Sequence, residues 1–262
     1  LASPGSPFHA APMLERRREP SGQVWYRSPA LARRGVPHAF TTRIGPEGLD
    51  FGRATLDAGQ RRDLPLLCGA PAGTPLVWAR QVHGRQALEV AGCDFDTARE
   101  ADALWTEQPG HLLMVFSADC VPVLVCSADG RRVAAIHAGW RGLVAGVIPA
   151  ALGDWARGGS AAIGPCLGVA HAQMGPEVLE RFRQAELAAA IVQDAGQQDR
   201  VDVRAAARQQ LERCGIAEIE ISPLCTYAQG GELYSYRREV THGGRAATGR
   251  LFALIGLPPA RR

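Results

Sequence analysis

The stretch from 117 to 142, SADCVPVLVCSADGRRVAAIHAGWRG, constrains the fold more than any other part of the chain. Two apolar runs, Val121 to Cys126 and Val133 to Ile136, flank the dipeptide Asp129-Gly130. Asp-Gly tolerates the positive backbone angles of a hairpin turn, so the two runs are predicted to be neighbouring antiparallel strands. Folding that hairpin carries Cys120 and His137 to the same end of the pair. A thiol and an imidazole brought together in this way are either metal ligands or a nucleophile with its base. Gly139 and Gly142 flank Trp140-Arg141, which predicts a sharp turn presenting an indole and a guanidinium beside His137.

Around this hairpin the pattern comes in blocks. Strands are predicted at Val24 to Tyr26, Ala39 to Arg43, Leu76 to Val82, Glu89-Val90, His111 to Phe116, Ser160 to Ile163, Glu218 to Ser222 and Leu251 to Ile255. Helices are predicted at Gln60 to Cys68, Gly142 to Trp155 with a kink or break at Pro149, Pro176 to Ala190, and a segment capped by Asp202 and stopped by Gly215. Blocks of this kind, rather than strict strand–helix alternation, indicate the α+β class. Residues 1–22 are rich in Pro and Arg and are expected to be a mobile extension, leaving 23–262 as a single catalytic domain.

Composition removes several classes of function. A formal charge of +3 over 262 residues is too weak for a nucleic-acid footprint. No apolar run is long enough to cross a bilayer, and the first residues lack the pattern of a secretory signal. Seven scattered cysteines with no CxxC suit free thiols in a reducing cytoplasm rather than a disulfide framework. The sequence contains no lysine, so all 29 of its basic side chains are arginines.

His83, Cys120 and His137 each lie at the end of a predicted strand beside small or turn-forming residues. One Cys and two His suit a divalent ion such as Zn²⁺ with a position left open for water or substrate. Spacing alone is weak support for a metal, because the sequence has no HExxH or CxxC, and a packed thiol with two unrelated histidines is the reading set against it. Asp119, next to Cys120, is a candidate to orient a ligand or move a proton. Arg43, at a strand end before a Gly/Pro-rich loop, is a candidate to reach an anion. Cys166 sits in the tight GPCLG turn after a short strand.

Taken together, FTTR, QVHG, SADCVPVLV, IHAGWRG, IGPC, a late CT, YSYRR and TGR resemble the YfiH-like laccase-domain family in their order. Its members go under the names polyphenol oxidase, peptidoglycan editing factor and purine nucleoside phosphorylase. The resemblance runs from about Ala39 to Ile255. It implies a four-layer α/β/β/α sandwich with mixed β-sheets, and zinc held by His83, Cys120 and His137. It further implies phosphorolysis of adenosine, inosine, guanosine or methylthioadenosine, and deamination of adenosine. On that reading Cys120, Asp119 and Arg43 are catalytic, and Arg43, Trp140, Arg141, Cys166 and Arg237 bind substrate. Phosphate calls for fork-shaped cations, of which Arg43 and Arg141 are the candidates, and Trp140 is a candidate to stack on the base. The expected partners are therefore a purine nucleoside and phosphate, with no nucleic acid or membrane, and the expected oligomeric state is a monomer.

The loop after Arg43 reads RIGPEGLDFGRATL and lacks the family's GG and Asn. Three rival readings accompany the resemblance. A copper-dependent polyphenol oxidase needs on the order of ten histidines for its several copper sites, and the chain has seven. A Cys–His hydrolase would use Cys120 and His137 on peptidoglycan precursors without metal. A structural zinc in an editing protein would require a fourth ligand, with Cys166 the candidate.

Overall fold

The central hairpin forms as expected. In the computed structural model, which describes residues 13–45, 58–193, 196 and 198–258, Val121–Cys126 and Val133–Ala138 are antiparallel neighbours. Gly130 turns between them at φ +71°, a backbone region that a Cβ disfavours.

Numbered along the chain, the strands are β1 (Glu15–Arg18), β2 (Val24–Arg27), β3 (His38–Thr41), β4 (Leu76–Val77), β5 (Ala87–Glu89), β6 (Ala103–Thr106), β7 (Leu112–Ser117), β8 (Val121–Cys126), β9 (Val133–Ala138), β10 (Ser160–Ile163), β11 (Ile191–Val192), β12 (Arg200–Val201), β13 (Glu218–Ile221) and β14 (Leu251–Gly256). The helices are α1 (Pro29–Arg33), α2 (Ala58–Leu67), α3 (Trp140–Ala145), α4 (Val147–Leu152), α5 (Pro176–Gln184) and α6 (Val203–Arg213). One six-stranded sheet has the order β1-β2-β3-β14-β7-β4 and a second the order β13-β10-β8-β9-β6-β5. The pairings β4–β7, β5–β6 and β10–β13 are parallel and the others in these sheets antiparallel, so both sheets are mixed.

Side-chain alternation assigns the layers. In β8, Leu124 and Cys126 face the core between the sheets, while Val121, Val123 and Val125 face a second core on the other side. β9 divides the same way, with Val133 and Ala135 between the sheets and Ala134, Ile136 and Ala138 outward. That outer core is completed by α3, α4, α5 and α6, through Leu143, Ile148, Phe182 and Leu211 among others. In the first sheet, Leu113 and Val115 of β7 and Ala253 and Ile255 of β14 point inward, while Leu112, Met114, Phe252 and Leu254 meet Leu64 and Leu67 of α2. The result is a four-layer α/β/β/α sandwich. Strands buried on both faces read as unbroken apolar runs, which is why β7, β8 and β14 stand out in the sequence. Each large aliphatic side chain fully buried here contributes about 1.5–3 kcal/mol relative to exposure.

Four expectations change. Glu15–Arg18, inside the stretch expected to be mobile, pairs with β2 as an edge strand, while residues 1–12 lie outside the described ones. The predicted strand Leu76 to Val82 is a ladder only at Leu76–Val77, with a single further bridge from Arg80 to Glu100, and the Gln81 side chain exchanges hydrogen bonds with the backbone of Phe116. The helix expected at Gly142 to Trp155 breaks at Gly146, which takes φ +78° and ends α3. Pro149 sits in the first turn of α4, where a missing N–H costs nothing. Finally, α5 ends at Gln184, and Glu186 at φ +58° separates it from a short 3₁₀ turn at Ala188–Ala190. The Asp202 cap is as expected: its side chain accepts from the N–H groups of Arg204 and Ala205.

The junction between β2 and β3 carries a buried imidazole. His38 Nε2 accepts from the Ser28 N–H at 2.9 Å, and Nδ1 lies 2.9 Å from the Val36 carbonyl, so the neutral ring with its proton on Nδ1 satisfies both. Burial pushes its pKa down to about 4. An unfolded histidine titrates near 6.5, so the unfolded chain takes up this proton first as pH falls. The stability due to the neutral ring is complete above about pH 6.5 and is lost as pH falls through the folded pKa; at 1.36 kcal/mol per unit the loss is roughly 3 kcal/mol. In urea unfolding, His38→Gln should therefore lose stability less steeply than the parent between pH 6.5 and 4. Equal slopes would exclude this origin.

Candidate functional site

β8 and β9 register so that His137 lies opposite Pro122, and Cys120 immediately precedes β8. The third group arrives from the segment between β4 and β5, where His83 takes φ +61°. One ligand atom from each of His83, Cys120 and His137 falls within 4.8 Å of the others. Cys120 Sγ is 3.7 Å from His83 Nε2, and the two imidazoles meet edge to face at 4.8 Å between centroids.

The group that assembles them is one the sequence reading passed over. Asp102 is buried just before β6. One carboxylate oxygen lies 2.8 Å from His137 Nδ1 and accepts from the His83 N–H at 2.9 Å; the other accepts from the Gly84 N–H at 2.7 Å and the Val82 N–H at 3.2 Å. The Asp102 carbonyl also accepts from the His137 N–H at 2.7 Å. His137 is thereby fixed with its proton on Nδ1 and Nε2 free to face Cys120. Desolvation opposes ionisation of Asp102, but the hydrogen bonds from His137 and the backbone outweigh it and hold the pKa below the ordinary carboxylate value. The sequence offered one signal, an acid directly ahead of the apolar step into β6.

Burial alone would raise the Cys120 thiol, yet the charges and hydrogen bonds of His137 and His83 reverse this and favour the thiolate. Burial would likewise lower His137, and the Cys120 and Asp102 anions raise it. A thiolate, two imidazoles and a carboxylate that sets one tautomer fit a borderline-soft divalent ion such as Zn²⁺. Close approach is essential here. A Cβ on Gly139 would lie 2.9 Å from His83 Cδ2 and 3.1 Å from Cys120 Sγ, which accounts for glycine in HAGW.

The trio opens onto a cavity of about 990 Å³. Trp78, Phe116, Trp140 and Tyr236 supply aromatic surface, and Arg80, Arg141, Arg237 and Arg250 supply cations. Among the residues lining it, Asp119 is the one acid. Its backbone is strained at φ +100°, and its carboxylate accepts from Thr226 Oγ1 at 2.6 Å and the Arg237 N–H at 2.7 Å. With both oxygens engaged, Asp119 shapes the wall that carries Cys120. Arg141 lies over the Trp140 ring at 4.4 Å, and Arg181 approaches the same ring at 6.0 Å. Arg237 spends its guanidinium on the carbonyls of His171 and Gln173.

Two expected residues lie elsewhere. Arg43 does not line the cavity; its Nη1 donates to the Gly230 carbonyl at 2.9 Å, it pairs with Glu239 at 3.4 Å, and it lies over the Tyr234 ring. Residues 46–57, which include most of the divergent loop after it, lie outside the described residues. Cys166 is fully buried away from the trio, where its sulfur accepts from Arg204 Nε at 3.2 Å. The metal-type group among the described residues does not include it, so it is not a fourth ligand.

Two substitutions test this assembly. Asp102→Asn has one acceptor oxygen for four N–H donors and should weaken zinc binding by about 10–100-fold in competition with a chromophoric chelator. Gly139→Ala should weaken it at least as much, because backbone and ligand cannot share the space; unchanged affinity in both would show that the trio does not bind as a unit.

The chain matches the family described as multi-copper polyphenol oxidoreductase laccase over residues 55–258. A purine nucleoside phosphorylase of Deinococcus radiodurans is 34% identical over 249 residues, covering 88% of this chain and 92% of that protein. Purine nucleoside phosphorylase YfiH of Escherichia coli (strain K12) is 39% identical over 176 residues, 65% of this chain and 72% of that one. The crystal structure of YlmD from Geobacillus stearothermophilus superposes with a TM-score of 0.77 at 28% identity, covering 92% of this chain and 98% of that one. The Bacillus licheniformis protein YfiH gives a TM-score of 0.76 at 25% identity, over 93% and 99%. By sequence over most of its length, and by fold, this chain belongs to the YfiH-like family of laccase-domain proteins.

Proposed function

We propose that this chain is a zinc-dependent purine nucleoside phosphorylase, acting on adenosine, inosine, guanosine or methylthioadenosine, with a secondary adenosine deaminase activity. The observation that carries the reading is the His83–Cys120–His137 group at the wall of a cavity that combines aromatic surface with arginines. Two of the relatives described above bear the name purine nucleoside phosphorylase, which supports it.

In phosphorolysis a phosphate oxygen bonds to C1′ of the ribose while the C1′–N9 bond breaks. The purine leaves with the electron pair and takes up a proton. The protein's part is to hold an anion and a flat heterocycle in line and to keep water from competing. Guanidinium forks suit the phosphate oxygens. Trp78, Phe116 and Tyr236 offer ring surface for the purine, and Trp140 is covered at least in part by guanidinium. A zinc ion held by His83, Cys120 and His137 would supply Lewis acidity at this wall. Asp102 orients His137 and the His83 loop, and Asp119 anchors the segment bearing Cys120. Deamination at the same site exchanges the C6 amino group for a water oxygen and releases ammonia.

A multi-copper oxidase is poorly supported, since the described residues gather one three-ligand group and the other described histidines lie outside it. A metal-free Cys–His hydrolase is separated by experiment. Zinc-loaded protein is incubated with adenosine or inosine, with and without phosphate, and the products are resolved by chromatography. Free base released only with phosphate, and abolished by Cys120→Ala or by chelation, is the expected result. Inosine formed from adenosine without phosphate would assign the deaminase activity. No turnover of any purine nucleoside by protein that retains zinc would overturn the proposal, and activity unaffected by chelation would favour the hydrolase chemistry.

A further inference from the structure

The cavity's arginines are not equivalent, and what each is already bonded to sorts them. Arg80 pairs with Glu100 at the surface. Arg237 places Nη1 and Nη2 on the carbonyls of His171 and Gln173. Arg250 is different. Its Nη1 donates to the Thr248 and Gly249 carbonyls, both at 3.1 Å, while its Nε and Nη2 make no hydrogen bond to any described residue. No carboxylate pairs with it among the described residues. The loop behind it is pinned, because Thr248 Oγ1 donates to Glu239 at 2.6 Å. Arg250 is therefore a half-buried guanidinium braced on one edge, with its remaining donors available in a cavity it lines.

Its place in the fold puts it close to the metal-type group. β14 and β7 pair up to Leu251 opposite Ser117. One step further along that register sets Arg250 beside Ala118, two residues before Cys120. Arg141 reaches the same cavity from the first turn of α3, four residues after His137; it is exposed and has no acidic partner among the described residues.

We infer that Arg250, with Arg141, binds the phosphate dianion in this cavity. This inference rests on the phosphorylase reading for its physiological meaning, and it gives the phosphate role to the TGR arginine instead of Arg43. An arginine braced by backbone carbonyls loses little freedom on binding, and two forks suit the several oxygens of one phosphate. The lone acid of the wall, Asp119, has its two oxygens engaged by the Thr226 hydroxyl and the Arg237 backbone N–H, and neither oxygen is paired with the guanidinium of Arg141 or Arg250.

The test is calorimetric titration of zinc-loaded protein with inorganic phosphate and, separately, with AMP, whose 5′-phosphate offers the same chemistry from another source. The proteins are the parent, Arg250→Gln, Arg250→Lys, Arg141→Gln and the distant surface control Arg183→Gln. Loss of a charge-assisted contact should weaken inorganic phosphate about 10–100-fold in Arg250→Gln, less in Arg250→Lys, and leave Arg183→Gln at parental affinity. Phosphorolysis should show the same order in the KM for phosphate, with kcat at saturating phosphate changing less. If Arg250→Gln does not fold, Arg250→Lys and the exposed Arg141→Gln carry the test. Equal phosphate affinity in the parent and the Arg250 variants would overturn the inference, as would weakening confined to AMP. The expected binding pattern without any phosphorolysis would keep the phosphate site and remove the phosphorylase reading.

Discussion

The site depends on one buried carboxylate. Asp102 gathers three consecutive backbone N–H groups and one imidazole N–H, and its own carbonyl receives the backbone of that same histidine. An unpaired carboxylate at this depth would be costly, so the segment Val82 to Gly84 and the end of β9 are stable together and unstable apart. The left-handed backbone of His83 follows from this, since three successive N–H groups converge on one acceptor only in a tightly curled loop. Strain at a single residue of about 1–3 kcal/mol is within reach of four such hydrogen bonds.

The sandwich sets where this happens. β7 ends at Ser117 in one sheet and β8 begins at Val121 in the other, so Ala118 to Cys120 is the link by which the chain changes layers. A link of three residues between two close-packed sheets has little freedom, and Asp119 takes its unusual φ there. The Thr226 hydroxyl, the Arg237 N–H and the Leu167 N–H, which donates to the Asp119 carbonyl, hold it in place. Cys120 is thus presented by a junction whose geometry the two hydrophobic cores impose. The widely separated motifs GPCLG, CT and YSYRR meet because each supplies one support for this junction. Cys166 and Arg204 belong to that scaffold: Arg204 ties Cys166 to the carbonyls of Pro223 and Leu224.

How legible this was in the sequence differs from residue to residue. The hairpin, the doubly buried strands and the pairing of Cys120 with His137 follow from local pattern, because turn chemistry and apolar period act over a few residues. Asp102 was obscure because its partners are mostly backbone N–H groups, which leave no trace in residue identity. Arg43 invited an anion-binding reading because it ends a strand before a loop, and nothing near it in sequence reveals Glu239, 196 positions away. The break at Gly146 rather than Pro149 was a local misreading: proline is harmless in a first helical turn, whereas a glycine with positive φ ends a helix outright. Arg250 lay in a recognisable TGR motif, but only the register of β14 against β7 brings it toward Cys120.

Charge accounting links the two halves of the cavity. Cys120 as a thiolate and Asp102 are two anions within reach of one another through His137, and a divalent ion on the trio would balance them. That would leave Arg141, Arg237 and Arg250 facing the cavity with no carboxylate paired to any of them among the described residues. In a space walled by Trp78, Phe116 and Leu167 the field of these guanidiniums is screened less than at an open surface. Such a wall favours a ligand that is anionic at one end and apolar and flat at the other. Without the ion, the thiolate–imidazolium pair and Asp102 would offset part of the positive field, so the metal group and the arginines act on one electrostatic balance, although Arg250 precedes a strand of the sheet opposite the one that carries His137.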